Sequence, residues 1–187
     1  MKKIVILASG NGTNAQAIID HFKDSDLARV SLVLSNKPNA YVLERAKKSE
    51  IPALSFNKYA FAKAETVGNL LLSEQPDLVV LAGFLWKIPE NLVKLFPNKL
   101  INIHPALLPK YGGKGMYGMN VHRAVVGNKE TNSGITIHYV NKNYDEGATI
   151  AQFSCPIYKD DTADDIAQRI HQLEHLHFPM VIEELLS

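Results

Sequence analysis

Short apolar segments alternate with segments of helical periodicity from the N-terminus to His104. The apolar segments are KIVILAS, VSLVLSN, IPALSF, DLVVLAG and KLINIH. The segments NAQAIIDHF, YVLERAKKSE and FAKAETVGNLLLSE separate the first four, and their apolar residues recur at helical spacing. Continuously apolar strands that alternate with helices are typical of a parallel sheet covered on both faces. The pattern therefore predicts an α/β fold with a Rossmann-like, doubly wound, mostly parallel sheet.

The pattern changes after His104. PALLPKYGGKGMYGMN predicts a loop, and NVHRAVVG predicts a helix. GITIHYV and TIAQFSCPI are separated by a short loop, which predicts a C-terminal antiparallel hairpin. TADDIAQRIHQLEHLHF predicts a last helix, and Thr162 with Asp165 predicts a capping box at its start. No repeat or linker interrupts the chain, so we expect one domain over residues 1–187.

Composition restricts the kinds of partner that we expect. The net charge of +1 argues against nucleic acid as a partner, because no basic excess is available to release counterions. The single Cys155 excludes an internal disulfide and a multi-cysteine zinc site, and we expect no metal. No apolar segment is long enough to span a membrane. The apolar run in MKKIVILASGNG fits a first strand better than a signal peptide, so we expect a cytoplasmic protein without membrane partners.

SGNGTNAQ joins the first strand to the first helix. Its glycines permit positive φ and close approach of a ligand, and Thr13 with Gln16 predicts a capping pair. The free N–H groups at the start of a helix can bind an anion. A tight turn without a ligand is the alternative.

Gly10, Gly12 and Ala15 also satisfy the G-x-G-x-x-A form of the dinucleotide-binding motif. That motif requires an acidic residue at the end of the second strand, which here reads VLSNKP. NAD binding is therefore disfavoured, and Lys37 leaves only NADP open. A single phosphate group is the more economical ligand.

INIHP places Asn102 and His104 on one face at the carboxyl end of a strand. Open α/β sheets bind their ligands at this end, and an unpaired buried polar group costs on the order of 1–3 kcal/mol. The pair suits an oxyanion that develops on a carbonyl. No Ser or Cys stands nearby in sequence as a nucleophile, which favours direct attack by a substrate amine. A structural histidine is the alternative.

NYDEGAT supplies Asp145 and Glu146, close to Gly147. Asp145 is the candidate group that holds the histidine and relays a proton, and a solvated acidic turn is the alternative. Thr136 and His138 share a face of GITIHYV, where we expect at most a supporting role.

SGNGTN, AGF, NIHPALLPKYGG and the Asp-x-Gly loop occur in this order along nearly the whole chain. By these motifs the chain resembles the phosphoribosylglycinamide formyltransferases, folate-dependent enzymes of purine biosynthesis. The resemblance implies metal-free transfer of formyl from 10-formyltetrahydrofolate to the amine of glycinamide ribonucleotide by a monomer or homodimer. It also implies that the N-terminal half binds phosphate, whereas the C-terminal half carries catalysis and folate binding.

The resemblance assigns roles to individual residues. Asn102 and His104 would stabilise the oxyanion, while Asp145 would orient His104, raise its pKa and relay protons. The residues implied for the acceptor substrate are Gly12, Thr13 and Asn14 at the phosphate, Glu174 near the glycinamide end, and Lys58 as a second phosphate ligand, for which Lys63 competes.

The folate would contact the segment after AGF and the backbone of the Asp loop. The implied residues are Leu85, Trp86, Lys87 and Ile88, with Asn141 to Asp145. Trp86 replaces a residue that is basic in the family, so only its backbone role is implied. The longer loop from Gly112 to Asn120 and His171 receive no role.

Four alternatives remain. Methionyl-tRNA formyltransferase and formyltetrahydrofolate hydrolase share the catalytic core, but each carries a further domain that we do not expect in this chain. An NADP-dependent reductase would leave Asn102 and His104 without a role. A non-catalytic nucleotide-binding module would leave Asp145 unexplained as well, and nucleotide binding without turnover would favour it.

Overall fold

The computed structural model describes residues 1–63 and 65–187, and within them seven strands form one sheet. The strands are β1 (Lys2–Ala8), β2 (Ala28–Ser35), β3 (Ala53–Ser55), β4 (Leu78–Leu81), β5 (Leu100–His104), β6 (Asn132–Tyr139) and β7 (Thr149–Pro156). Their order across the sheet is β3-β2-β1-β4-β5-β6-β7. β1 to β5 are parallel, β6 is antiparallel to β5, and β7 is antiparallel to β6. The predicted mostly parallel sheet and C-terminal hairpin are confirmed.

The described residues contain seven helices. They are α1 (Thr13–Phe22), α2 (Tyr41–Lys48), α3 (Lys58–Ala62), α4 (Thr66–Glu74), α5 (Glu90–Leu95), α6 (Met119–Gly127) and α7 (Ala163–Leu186). The prediction of one helix over FAKAETVGNLLLSE is wrong, because α3 and α4 are separate and Glu65 has a positive φ of 54°. Ala64, in the middle of that predicted helix, lies outside the described residues. The sequence pattern did not predict α5.

The two predicted helix caps have different outcomes. The capping box of α7 is confirmed, because Thr162 Oγ1 accepts from Asp165 N and Asp165 Oδ2 accepts from Thr162 N. The Thr13–Gln16 pair is wrong, since Gly12 is the N-cap of α1 and no side chain caps that helix. Gln16 Nε2 instead donates to Asp20 Oδ1 at 2.9 Å.

α7 continues eight residues beyond its predicted end at Phe178, through Pro179, to Leu186. Val181, Ile182 and Leu186 are buried in the core, and this burial favours a longer helix despite the proline. No helix among residues 1–63 and 65–187 combines the length and the apolar character that a membrane crossing requires.

Apolar side chains fill both faces of the sheet. On β1, Ile4 and Ile6 belong to a core cluster that includes residues of α1, α2, α6 and α7. Val5 and Leu7 point the other way, into a cluster that includes residues of α3, α4 and α5. The carboxyl ends of parallel β1, β4 and β5 meet at one edge of the sheet. This edge brings together the glycine turn, the segment after AGF and the Asn–His pair.

Candidate active site

Asn102 and His104 lie beside two polar residues of the next strand. In the antiparallel register of β5 and β6, Asn102 is opposite His138 and His104 is opposite Thr136. The alternation of the strand sends Ile101 and Ile103 into the core on the other face. The hairpin thus gives the Asn–His pair two close polar neighbours, a stronger association than the sequence predicted for His138.

His138 orients the side-chain amide of Asn102. The Nδ1 of His138 is 2.9 Å from the backbone oxygen of Tyr139, so this nitrogen carries the proton that it donates. In the neutral ring, Nε2 then accepts from the Nδ2 of Asn102 at 3.1 Å. One N–H of the Asn102 amide is used in this contact, and the second is available to a ligand.

Both ring nitrogens of His104 face oxygen atoms. Nε2 is 2.7 Å from the backbone oxygen of Tyr111, and Nδ1 is 3.6 Å from Oδ2 of Asp145. The imidazole is 3% exposed. Burial lowers the pKa of His104 below its ordinary value. The charge of Asp145 and the hydrogen bond to the Tyr111 carbonyl raise this pKa, but by less than burial lowers it. Asp145 therefore acts in the predicted direction, but the net shift favours neutral His104.

Asp145 is held between the two histidines and the loop after His104. Its Oδ2 accepts from the backbone N–H of Gly113 at 2.9 Å, and its Oδ1 is 3.7 Å from Nε2 of His138. Burial raises the pKa of Asp145, but the contacts with His138, His104 and Gly113 outweigh burial and hold the pKa below its usual value. The solvated acidic turn is therefore wrong for Asp145, which is ionised and partly buried at neutral pH.

Tyr111 connects His104 to the end of α6. Its backbone adopts a positive φ of 58° and presents the carbonyl to His104. Its hydroxyl donates to Glu130 Oε1 at 2.9 Å and accepts from Asn128 Nδ2 at 2.9 Å. These contacts fix the carbonyl that determines which nitrogen of His104 carries a proton.

Thr136 attaches the start of the same loop to β6. Its Oγ1 donates to the Ala106 oxygen at 2.7 Å and accepts from the Leu108 N–H at 3.0 Å and from Gln152 Nε2 at 2.9 Å. The buried hydroxyl is thus fully paired, and the loop leaves His104 along a fixed path.

The glycine turn is closely packed against α2. Gly12 has a φ of 76°, and a Cβ there would lie 2.4 Å from Cγ2 of Val42, so only glycine fits. Thr13 begins α1. Asn14 Nδ2 donates to Glu174 Oε2 at 3.0 Å, whereas its buried Oδ1 has no partner among the described residues.

Glu174 lies between Asn14 and further polar side chains of α6 and α7. His171 Nδ1 lies 3.0 Å from the same Oε2, and this hydrogen bond raises the pKa of His171. Glu174 is 5% exposed, and its Oε1 receives no hydrogen bond from the described residues. His122 is buried, and its Nδ1 has no described partner either. Burial and His171 lower the pKa of His122, and its electrostatic neighbours include Glu174 and His104.

Unpaired buried polar atoms are rare in folded proteins. Among the described residues they occur on Asn36 and Ser133, and on Asn14 and His122, which lie beside a carboxylate with a free oxygen. This arrangement is typical of a site for a polar ligand. The sequence pattern predicts no role for His122 or His171. Each follows an aliphatic residue, Val121 and Ile170, on an amphipathic helix, and this context does not separate them from surface histidines.

The predicted donor-binding segments approach each other. Lys87 Nζ lies 5.8 Å from the ring centroid of Tyr144, in the Asp loop. The backbone N–H of Leu85 donates to Ser9 Oγ at 2.9 Å, while Ile88 is buried. Asn141 Oδ1 accepts from the backbone N–H of Asn143 and shapes the loop.

Trp86 belongs to an aromatic cluster with Phe56, Phe61 and Phe84, at centroid distances of 5.9–6.4 Å from each. The half-buried side chain of Trp86 therefore packs beneath the backbone of residues 85–88. Lys58 begins α3 and Lys63 follows it; both are exposed, and neither forms a hydrogen bond or ion pair with the glycine turn among the described residues. In the part of the chain that the structure describes, no three His, Cys, Asp or Glu side chains could together hold a metal ion.

The family model described as formyl transferase matches residues 2–182. The phosphoribosylglycinamide formyltransferase of Bacillus subtilis is 40% identical over 194 residues, covering 100% of this chain and 96% of the relative. The enzyme of the same name from Haemophilus influenzae is 37% identical over 188 residues, covering 98% of this chain and 86% of the relative. The crystal structure of glycinamide ribonucleotide transformylase 1 from Geobacillus kaustophilus superposes with a TM-score of 0.91 at 36% identity, covering 100% of both chains. The chain belongs to the formyl transferase family.

Proposed function

We propose that this protein is a phosphoribosylglycinamide formyltransferase, which transfers the formyl group of 10-formyltetrahydrofolate to the amine of glycinamide ribonucleotide in purine biosynthesis. The observation that carries the proposal is the cluster of Asn102, His104 and Asp145 at the carboxyl edge of the sheet. The names of the relatives agree with it over nearly the whole chain.

The acceptor lies along the carboxyl edge of the sheet. Its phosphate binds the N–H groups at the start of α1, at Gly12, Thr13 and Asn14. Lys58 adds a positive charge. The free oxygen of Glu174 accepts a hydrogen bond near the glycinamide end of the substrate, and the unpaired Oδ1 of the neighbouring Asn14 offers a further acceptor.

The formyl donor lies between two segments of the chain. One is formed by Leu85, Trp86, Lys87 and Ile88, and the other by residues 141–145. The contact between Lys87 and Tyr144 supports the proximity of the two segments that this placement requires. The side chain of Trp86 supports the first segment from below, so the backbone of that segment faces the donor.

Direct transfer requires the amine nitrogen to attack the formyl carbon. As the C–N bond forms, the electron pair of the C=O double bond moves to the oxygen. Asn102 donates its free N–H to that oxygen. An oxyanion is also a stronger acceptor than the Tyr111 carbonyl, so it competes for the N–H on Nε2 of His104.

The proton balance assigns the role of Asp145. The attacking nitrogen must lose a proton, and the departing N10 of the folate must gain one when the bond between carbon and N10 breaks. Asp145 is ionised and lies beside His104, so it orients the ring and relays this proton through water. No oxidant, reductant or metal ion takes part in the balanced reaction.

The proposal is tested by mixing the purified chain with 10-formyltetrahydrofolate and following the absorbance change on deformylation, with and without glycinamide ribonucleotide. Turnover that requires the ribonucleotide supports the transferase. Loss of the formyl group without an acceptor would indicate a hydrolase instead. Nucleotide binding without turnover would indicate a binding module.

A further inference from the structure

We propose that Arg45 of α2 is a positioning residue for the acceptor phosphate, because it fixes the shape of the turn formed by residues 10–14. This inference rests on the proposed function, which assigns the turn to the phosphate. Arg45 contacts the turn and not the reacting atoms.

The guanidinium of Arg45 holds Asn11 through two hydrogen bonds. Nε donates to the backbone oxygen of Asn11 at 2.8 Å, and Nη2 donates to its side-chain Oδ1 at 3.0 Å. The planar fork therefore fixes both the peptide plane and the side chain of the residue before Gly12. A lysine at position 45 has no such fork.

α2 also contacts the residues on both sides of Asn11. The backbone N–H of Val42 donates to the Gly10 oxygen at 3.2 Å, and the Val42 side chain packs directly against Gly12. No side chain of the turn caps α1. The conformation of the turn therefore depends on its contacts with α2. Among these, the Arg45 side chain extends furthest from α2 to reach the turn.

An anion that binds backbone N–H groups needs them to converge before it arrives, because ordering a loose turn on binding costs affinity. The guanidinium carbon of Arg45 lies 5.0 Å from the ring centroid of Tyr41, which restricts the side chain. Loss of the fork should consequently weaken binding of a phosphorylated acceptor, while binding of the folate and the chemical step should remain unchanged.

The first test compares Arg45→Met with the wild type on glycinamide ribonucleotide and on its dephosphorylated nucleoside. We expect KM for the ribonucleotide to rise roughly 5- to 20-fold, in the range of a lost charge-assisted contact. KM for the nucleoside, KM for the folate and kcat should each change less than about twofold, within the scatter of a distant contact. Equal effects on ribonucleotide and nucleoside would overturn the proposal.

Lys48→Met is the matched control. Lys48 lies on the same helix, and its Nζ is 5.5 Å from the same Tyr41 ring, but it does not contact the turn among the described residues. This variant loses the same charge and should keep the wild-type KM. If it raised KM as much as Arg45→Met, long-range charge would explain the effect and positioning would be refuted.

Two further variants separate geometry from charge. Arg45→Lys keeps the charge without the fork, so we expect a KM between those of the wild type and Arg45→Met; full recovery would overturn the proposal. In a double-mutant cycle, Asn11→Ala should add little to Arg45→Met, since both remove the same contact. Fully additive effects would contradict a shared role.

Direct binding distinguishes this inference from the proposed function. Ribose 5-phosphate binding is measured by calorimetry, with thermal unfolding as a check that each variant is folded. A wild type that neither binds ribose 5-phosphate nor turns over would refute the proposed function. A wild type that binds it, with Arg45→Met binding equally well, would refute only the role of Arg45.

Discussion

The side-chain amide of Asn102 donates to the Nε2 of His138 across 3.1 Å. In the tautomer that donates from His138 Nδ1 to the Tyr139 carbonyl, Nε2 is the acceptor for Asn102, and this pairing selects the orientation of the amide. Asn102 thus presents a donor at the edge of the sheet, where the proposed oxyanion forms.

Replacing Asn102 or His104 by alanine should chiefly lower kcat. Each variant should lose roughly 10²–10³ in kcat, the usual effect of one missing oxyanion donor, with smaller changes in KM. Steady-state kinetics with both substrates measures this. An unchanged kcat in both variants would contradict the catalytic assignment.

His138→Phe should lower kcat by a smaller factor than Asn102→Ala. The phenyl ring fills a similar volume but accepts no hydrogen bond, so the amide of Asn102 loses its fixed orientation. If His138 acts through Asn102, the double variant Asn102→Ala, His138→Phe should be no slower than Asn102→Ala alone. A further loss in the double variant would show that His138 has a separate role.

Asp145→Asn should move the pH dependence of kcat. Burial lowers the pKa of His104, and the charge of Asp145 opposes that effect. Without the carboxylate, the pKa of His104 falls further, so its charged form is lost at a lower pH as pH rises. The charged ring is the stronger donor to the oxyanion, so we expect kcat to contain a limb set by protonation of His104. In Asp145→Asn this limb should shift to lower pH, and a shift to higher pH would exclude this assignment.

The sequence predicts the layers of the fold and the edge that carries the site, because both follow from local periodicity and from the rule that ligands bind at strand carboxyl ends. Asn102 and His104 were found in this way. For His138 the sequence predicts at most a supporting role, since its contact with Asn102 depends on the register of β5 and β6. Register is set by tertiary pairing and is not visible in one strand.

Other contacts could not be read from the sequence because they join distant elements. Arg45 reaches the glycine turn only when α2 packs beside α1, and His122 approaches Glu174 only when α6 packs on α7. The break between α3 and α4 is not visible in the sequence pattern either. FAKAETVGNLLLSE keeps helical spacing, and that spacing does not indicate the positive φ of Glu65 at the start of α4.

Lys58→Ala and Lys63→Ala should differ in their effect on the acceptor. Lys58 begins α3, three residues after β3 ends at the carboxyl edge, so its loss should raise KM for the ribonucleotide several-fold and spare KM for the folate. Lys63→Ala tests the competing candidate. The reverse ranking would assign the phosphate contact to Lys63, and equal weakening of both substrates by Lys58→Ala would indicate a structural role.

Gly147→Ala should destabilise the loop that carries Asp145. A Cβ at position 147 would lie 1.6 Å from the Tyr139 oxygen, so the loop or the end of β6 must move. We expect the free energy of unfolding to fall by roughly 1–3 kcal/mol, as for other overpacked sites, together with a lower kcat, because Asp145 is displaced from His104.

Gly127→Ala is the matched control, since a Cβ there meets nothing within 4 Å in α6. Denaturant unfolding and kcat measured on both variants decide the question, and a Gly147→Ala protein with wild-type kcat would show that the position of Asp145 is not critical.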